Sequence, residues 1–302
     1  MRTIISYMMA VAITINFSCH PKLTPSQNAH TETTDTRGNK MLLGTWGKEK
    51  LMQEPYSVWF TKNYSDYILD SVVCEQLRSK ISGKDFVIFM GTWCGDSKRE
   101  VPRMFKILDF CGVKSSHIKL TMLNNADSFY KQSPAHEEYG MNIHRVPDLI
   151  VLENKKEIGR IIESPVTSLE KDLLAIMNHD SYSPNYKSVS VLIDYLEKNK
   201  IEISDEKITK IVSLIKPFSR SSGELNTFGY VKMAAHEMDK AEIAFRVNAI
   251  LYPVQSNVFD SLGDFYARNN NKALAKDSYS KALQLDPANE NTRKKLAELQ
   301  NN

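Results

Sequence analysis

The sequence predicts an α/β sandwich domain followed by an all-α stack of helix pairs, and two observations carry that prediction. Phe86-Val87-Ile88-Phe89-Met90 is a continuous apolar run of strand length, as in a central strand buried on both faces, and the chain leaves it at Gly91 for an amphipathic segment. Far downstream the chain matches itself at an offset of thirty-four residues, pairing Gly229 with Gly263, Ala241 with Ala275, Phe245 with Tyr279 and Pro253 with Pro287. A period of that length marks stacked helical units. At 302 residues and 42% hydrophobic content the chain is long enough for two domains with cores of their own. The formal charge of +3 is too small a bias for a nucleic-acid footprint, and Arg293-Lys294-Lys295 reads as a solvated helix face, so no nucleic-acid partner is expected.

Residues 1–19 read as an export signal. Arg2 supplies a charged end, and Ile4 to Ile15 supplies an apolar run, broken by Ser6 and Thr14, that is too short to span a bilayer. Phe17-Ser18-Cys19, a small residue before a cysteine, resembles a bacterial lipoprotein cleavage site, although Asn16 stands where that signal usually has an aliphatic residue. The expectation is a lipid-anchored Cys19 and a cell-envelope protein facing the periplasm or the exterior, with plain secretion as the alternative. His20 to Lys40 is polar and almost free of apolar residues, and residues 20–44 are expected to form a flexible tether. With Cys19 at the signal boundary, Cys74, Cys94 and Cys111 remain, an odd number that leaves at least one thiol free or paired outside the chain.

Within the first domain, residues 45–180, Cys74 falls in an apparent helix from Ile68 to Leu77 and reads as a buried core residue. After the strand at 86–90, Val101, Met104, Phe105 and Leu108 recur at helical spacing, so a helix begins near Cys94. Cys94 thus stands at a strand-to-helix junction, where unpaired amides and the helix field favour a thiolate. Ile118 to Leu123 reads as a second strand, Tyr130 to Tyr139 as a short helix or irregular segment, and Asp148–Leu152 with Glu157–Ile162 as an antiparallel hairpin around a polar turn. A helix from Ser168 to Met177 closes the domain. The second domain, residues 185–302, opens with a helical pair, Val189–Glu197 and Asp205–Ile215, and continues with repeat units at about 222–255 and 256–289. Gly263 and Ala275 let two helices approach, Pro253 and Pro287 mark where each second helix ends, and Ala288 to Gln300 caps the stack.

Taken together, the strand at 86–90, the motif Gly91-Thr92-Trp93-Cys94-Gly95-Asp96-Ser97, Pro102 in the helix and Val146-Pro147 before the hairpin resemble a thioredoxin-like three-layer domain. The stretches GTWCGDSKREVPR and EIGRIIESP resemble, more closely still, a group of thioredoxin-family proteins from Bacteroidetes-type bacteria. The resemblance implies a reactive Cys94 flanked by Trp93, and a cis Pro147 on the facing wall where substrate backbone would pair. Two positions depart from it: Ser97 stands where the resolving cysteine would be, and Ile88 stands where a buried acid is common. In the second domain Phe259, Leu262, Gly263, Tyr266, Ala273, Ala275, Tyr279, Ala282 and Pro287 resemble a tetratricopeptide repeat, whereas the first unit carries Lys232 where a tyrosine would pack. That resemblance implies an all-α solenoid with a concave surface for protein or peptide.

The chemistry follows from the single thiol. A Cys94 thiolate attacks a disulfide to form a mixed disulfide, and without a partner at Ser97 its release falls to a low-molecular-weight thiol, a second protein or another client cysteine. The expected activity is monothiol exchange or isomerisation on client proteins with disulfides or free thiols; the alternative is a non-catalytic adaptor that binds extended polypeptide and scaffolds partners. Ser97 is positioned to offer its hydroxyl to the thiolate, Asp96 to oppose ionisation and Lys98 to offset Asp96. Cys111 lies seventeen residues on, more than about 20 Å away along a helix, so it is not expected to resolve Cys94. Nothing in the spacing supports a Cys74–Cys111 bridge. His117, His136 and His144 do not fall at metal-ligand spacing with Cys94, although His144 is close enough to Pro147 to reach the site rim, and no cofactor or metal is expected.

Overall fold

The computed structural model describes residues 30–35 and 37–301, so the expected export signal and Cys19 lie outside the described residues. The first half is built on a six-stranded mixed sheet. Its elements run β1 (His30–Thr34), β2 (Lys40–Trp46), α1 (Lys48–Leu51), α2 (Ser57–Asp66), α3 (Ser71–Lys80), β3 (Lys84–Met90), α4 (Gly95–Phe110), β4 (Ile118–Met122), β5 (Asp148–Glu153), β6 (Lys156–Ile162) and α5 (Leu169–Met177). The strand order is β1-β2-β4-β3-β5-β6, with β3 and β4 parallel and the other pairs antiparallel.

β3 is the central strand, and both of its faces are buried. Phe86, Ile88 and Met90 pack with Val101, Met104, Phe105 and Leu108 of α4 and Leu173 of α5 in the larger core, while Val87 and Phe89 join Leu123, Ile143, Val146 and Ile150 in a smaller one. Trp93 and Cys94 border that smaller core. α3 starts later than the apolar pattern suggests because the Asp70 side chain accepts the Val73 amide at 3.2 Å and caps the helix there.

The tether expected through residue 44 is corrected from its C-terminal end: residues 30–34 and 40–44 lie in β1 and β2. Met41, Leu42 and Leu43 are buried, and the turn between the strands is an Asx turn in which Asp35 accepts the amides of Arg37 and Asn39, each at 2.8 Å. Gly38, at φ 81°, supplies the left-handed step. Leu42 is tied to the motif itself, since its amide donates to Thr92 Oγ1 at 3.1 Å.

The second half is all helix: α6 (Lys187–Lys198), α7 (Asp205–Ile215), α8 (Ser222–Ala234), α9 (Met238–Leu251), α10 (Ser256–Arg268), α11 (Lys272–Leu285) and α12 (Glu290–Asn301). α8 pairs with α9 and α10 with α11, and Pro253 and Pro287 follow the second helix of each pair. Two successive apolar cores fill the stack, one joining α6 and α7 to α8 and α9, the next joining α8 and α9 to α10 and α11. The close approaches fall where the repeat places glycine. A Cβ at Gly229 would stand 2.7 Å from Phe245 Cζ, and one at Gly263 would stand 2.4 Å from Tyr279 Cδ1. Gly263→Val is therefore expected to lose about 1–3 kcal/mol in urea unfolding through overpacking alone. Lys232 is buried, and its ammonium reaches Glu237 at 2.6 Å, which explains how a cation occupies a core position.

The halves meet beside the hairpin. Arg145 donates to the carbonyl of Gly223 at 2.8 Å, Asn142 donates to Glu197 at 2.8 Å, and the His144 ring packs edge-on against Phe228 and Tyr186. Among the described residues no helix is long and apolar enough to cross a membrane.

Candidate functional site

Cys94 is the N-cap residue of α4, in extended backbone conformation, with its amide donating to Gly91 O at 2.9 Å and its carbonyl accepting from Lys98 N at 3.0 Å. The sulfur is half-buried at the helix start, where the first-turn amides have no helical carbonyl to pair with. Across from it the Val146-Pro147 peptide is cis, and the Cys94 thiol donates to the Val146 carbonyl at 3.4 Å. The chain just past Pro147 is fixed by the amide of Glu163, which donates to Pro147 O at 2.6 Å.

The Trp93 indole N–H donates to Leu123 O at 2.8 Å, and the ring lies so close to Gly91 that a Cβ there would stand 2.4 Å from Trp93 Cε2. Cys94 and Trp93 thus border the smaller core, of which Val146 is part. Ser97 lies beneath them, fully buried, and its Oγ accepts the Gly91 amide at 3.2 Å, which ties the start of α4 to the end of β3. Asp96 is paired with Arg99 at 2.8 Å, so the counter-charge comes from the residue one turn along the helix rather than from Lys98.

The structure adds a cluster of ionisable side chains that sequence reading missed. Lys131 is 3% exposed, and its ammonium lies 2.5 Å from Tyr130 Oη, 3.7 Å from the Tyr130 ring centroid and 5.8 Å from that of Trp93. Burial brings Lys131 down to about 7; Arg145 pushes the same way, while Cys94 and Glu163 resist. Burial also raises the Tyr130 phenol and the Glu163 carboxyl, the latter against the pull of Arg145. Arg145 reaches Glu163 at 3.4 Å and lies over the Tyr186 ring at 4.7 Å, and the Tyr186 hydroxyl donates to Glu163. The signal in the sequence was slight, a Tyr-Lys pair within an aperiodic segment.

His144 is wholly buried at the junction of the halves, not at the rim. Burial takes its imidazole down to about 3, and it therefore stays neutral, Nδ1 donating to Asn142 O at 3.2 Å. His117 pairs with Asp85 and His136 with Glu138, both away from Cys94. Among the described residues no group of three His, Cys, Asp or Glu side chains is placed to hold a metal ion.

Cys74 and Cys111 are free, buried and neighbours: the Cys111 thiol lies 3.6 Å from the Cys74 carbonyl oxygen. Burial pushes the Cys74 thiol up to about 12 and the Cys111 thiol up to about 11, which keeps both protonated. Cys111 is the C-cap of the helix that Cys94 starts, so the 16 residues of α4 separate them by about 24 Å.

Tyr130 also lines a cavity of about 530 Å³ between the 3-10 turn Asp127–Phe129 and the helical half, where it faces Thr227, Tyr230, Asp264 and Tyr279. The chain matches no protein-family model and no curated protein.

Proposed function

We propose that this chain is a thioredoxin-like, monothiol thiol-disulfide exchange protein of the cell envelope, held to a membrane through a lipid on Cys19. Cys94 attacks one sulfur of a client disulfide, the second client sulfur leaves, and a low-molecular-weight thiol or another client cysteine later displaces Cys94. The tetratricopeptide-like helical half recruits or presents the client. The observation that carries this reading is the half-buried thiol at the helix start, 3.4 Å from the carbonyl that precedes a cis proline. A wholly structural cysteine is better served by surroundings like those of Cys74 and Cys111, sealed in the core and held protonated. Monothiol behaviour is supported by the distance to Cys111 and by the buried hydroxyl at Ser97.

The test is capture of an oxidised client by the full chain, read on non-reducing gels, with reshuffling of a scrambled-disulfide protein measured with and without added small thiol. Cys94→Ser is expected to abolish the covalent adducts and the reshuffling. Unchanged client retention in that variant, with no reshuffling above background by the wild type, would instead leave a non-catalytic adaptor.

A further inference from the structure

If Cys94 exchanges disulfides, its thiolate needs a countercharge, and the groups beside it in sequence do not provide one. Ile88 and Ser97 are fully buried and uncharged, and Asp96 is an anion paired with Arg99. The thiol hydrogen itself rests on the Val146 carbonyl, an oxygen that would repel the sulfur once it is charged.

Among the described lysines of this half, Lys131 stands apart because its amine is buried without a carboxylate. Among the described residues its polar partner is the Tyr130 hydroxyl, and its ammonium also faces the Trp93 ring. The backbone holds it there: Lys131 adopts φ 56°, its amide donates to Asn124 O and the Asn124 amide donates to Gln132 O, both at 2.9 Å. A long, charged side chain loses several kcal/mol of hydration when buried unpaired, so its retention at this wall calls for a use.

We propose that Lys131 is the charge partner of Cys94, its ammonium favouring the thiolate, with Tyr130 holding its amine in place. This rests on Cys94 being an exchanging thiol. In the forward step Cys94 loses its proton to solvent, and the thiolate, opposite the Lys131 ammonium, forms a bond to one client sulfur. The client S–S bond breaks, its electron pair leaves on the second client sulfur, and that thiolate takes up a proton from solvent. The client disulfide is the oxidant, and no other redox partner is needed. Both forms of Lys131 are present near pH 7, since burial and Arg145 bring it to about that value. The other groups that face it are Tyr130, Glu163 and the neutral His144, and Glu163 in turn faces Asp96. None of them offers a cation: Tyr130 and His144 are neutral, Glu163 is acidic, and the Arg145 guanidinium is engaged by Glu163 and the Gly223 carbonyl.

The experiment is iodoacetamide alkylation of the full chain between pH 6 and 10, with modification of Cys94 followed by peptide mass spectrometry. Lys131→Met is expected to slow Cys94 alkylation roughly tenfold at pH 7, about the effect of removing one nearby opposite charge. Lys131→Arg, which keeps the cation, is expected to restore most of that loss, and the wild type and Lys131→Met are expected to converge by pH 10, where a thiolate needs no cation. Equal rates at pH 7, or the same slowing at pH 7 and pH 10, would overturn the assignment, the second because a structural defect has no pH dependence of this kind. Alkylation reads the thiol alone. A Lys131-dependent profile without any client adduct would therefore uphold the partnership and overturn the exchange reading, so the two failures remain distinguishable.

Discussion

Replacing Arg160 by Met is expected to cost the fold about 3–5 kcal/mol at pH 7, because it strands a buried carboxylate. Arg160 on β6 reaches Asp148 on β5, which is wholly buried, with Nη1 at 3.2 Å from Oδ2; the same nitrogen donates to Met141 O at 3.0 Å, and Nε and Nη2 hold Glu157 at 2.7 and 2.6 Å. Burial already pushes the Asp148 carboxyl up to about 6 with the guanidinium beside it. Burial works against the Arg160 charge as well, yet Asp148 and Glu157 outweigh it and hold Arg160 above its ordinary value. Without the guanidinium, the folded-state value for Asp148 rises further above the unfolded one. A carboxyl raised in this way loses stability as pH climbs from the unfolded value through the folded one. Below about pH 6 Asp148 is protonated in both folded forms, so the deficit of Arg160→Met against wild type is expected to be smallest there and to grow toward neutrality. Urea midpoints at pH 4 and pH 7 check this, and a deficit independent of pH would count against the stranded charge. Because Asp148 follows Pro147 directly, the loss should also loosen the wall that faces Cys94.

The second large effect has the opposite sign. Lys131→Met is expected to stabilise the protein by about 2–4 kcal/mol at pH 7, by removing a lysine that burial brings down from 10.5 to about 7. Between those two values the unfolded chain binds a proton that the folded chain does not, so wild-type stability rises with pH across that window. The variant should lack this rise. Urea unfolding from pH 7 to 9.5 separates the two, and parallel slopes would show that the amine is not buried in the folded state. A substitution that strengthens the fold and slows the thiol is what a site held at the expense of stability predicts.

The elements legible in the sequence were those whose periodicity records a packing face. β3 is an unbroken apolar run because both faces of it are buried, and α4, the hairpin and the α8 to α11 pairs follow their spacing to within a few residues. The edge hairpin was hidden because composition averaged over residues 20–44 diluted Met41-Leu42-Leu43, whose burial depends on parts of the chain far away in sequence, such as the larger core that takes in Leu42. Cys94, Trp93 and Pro147 came into view as a motif. Lys131 did not, because its segment is held by irregular contacts such as Ser133 to Glu138 and Thr45 to Glu137, which leave no period in the sequence. The proximity of Cys74 to Cys111 was equally invisible, since it arises from the side-by-side packing of α3 and α4 and not from their separation along the chain.

Arg145 lies one residue before the carbonyl that receives the Cys94 hydrogen, and its guanidinium is tethered to Gly223 in the first turn of α8. Severing the polypeptide near residue 180 would thus do more than shed an appendage: it would strip Phe228 from the His144 ring and leave that arginine to Glu163 alone. The seam between the halves is a boundary along the chain but not in the mechanics of the thiol's surroundings.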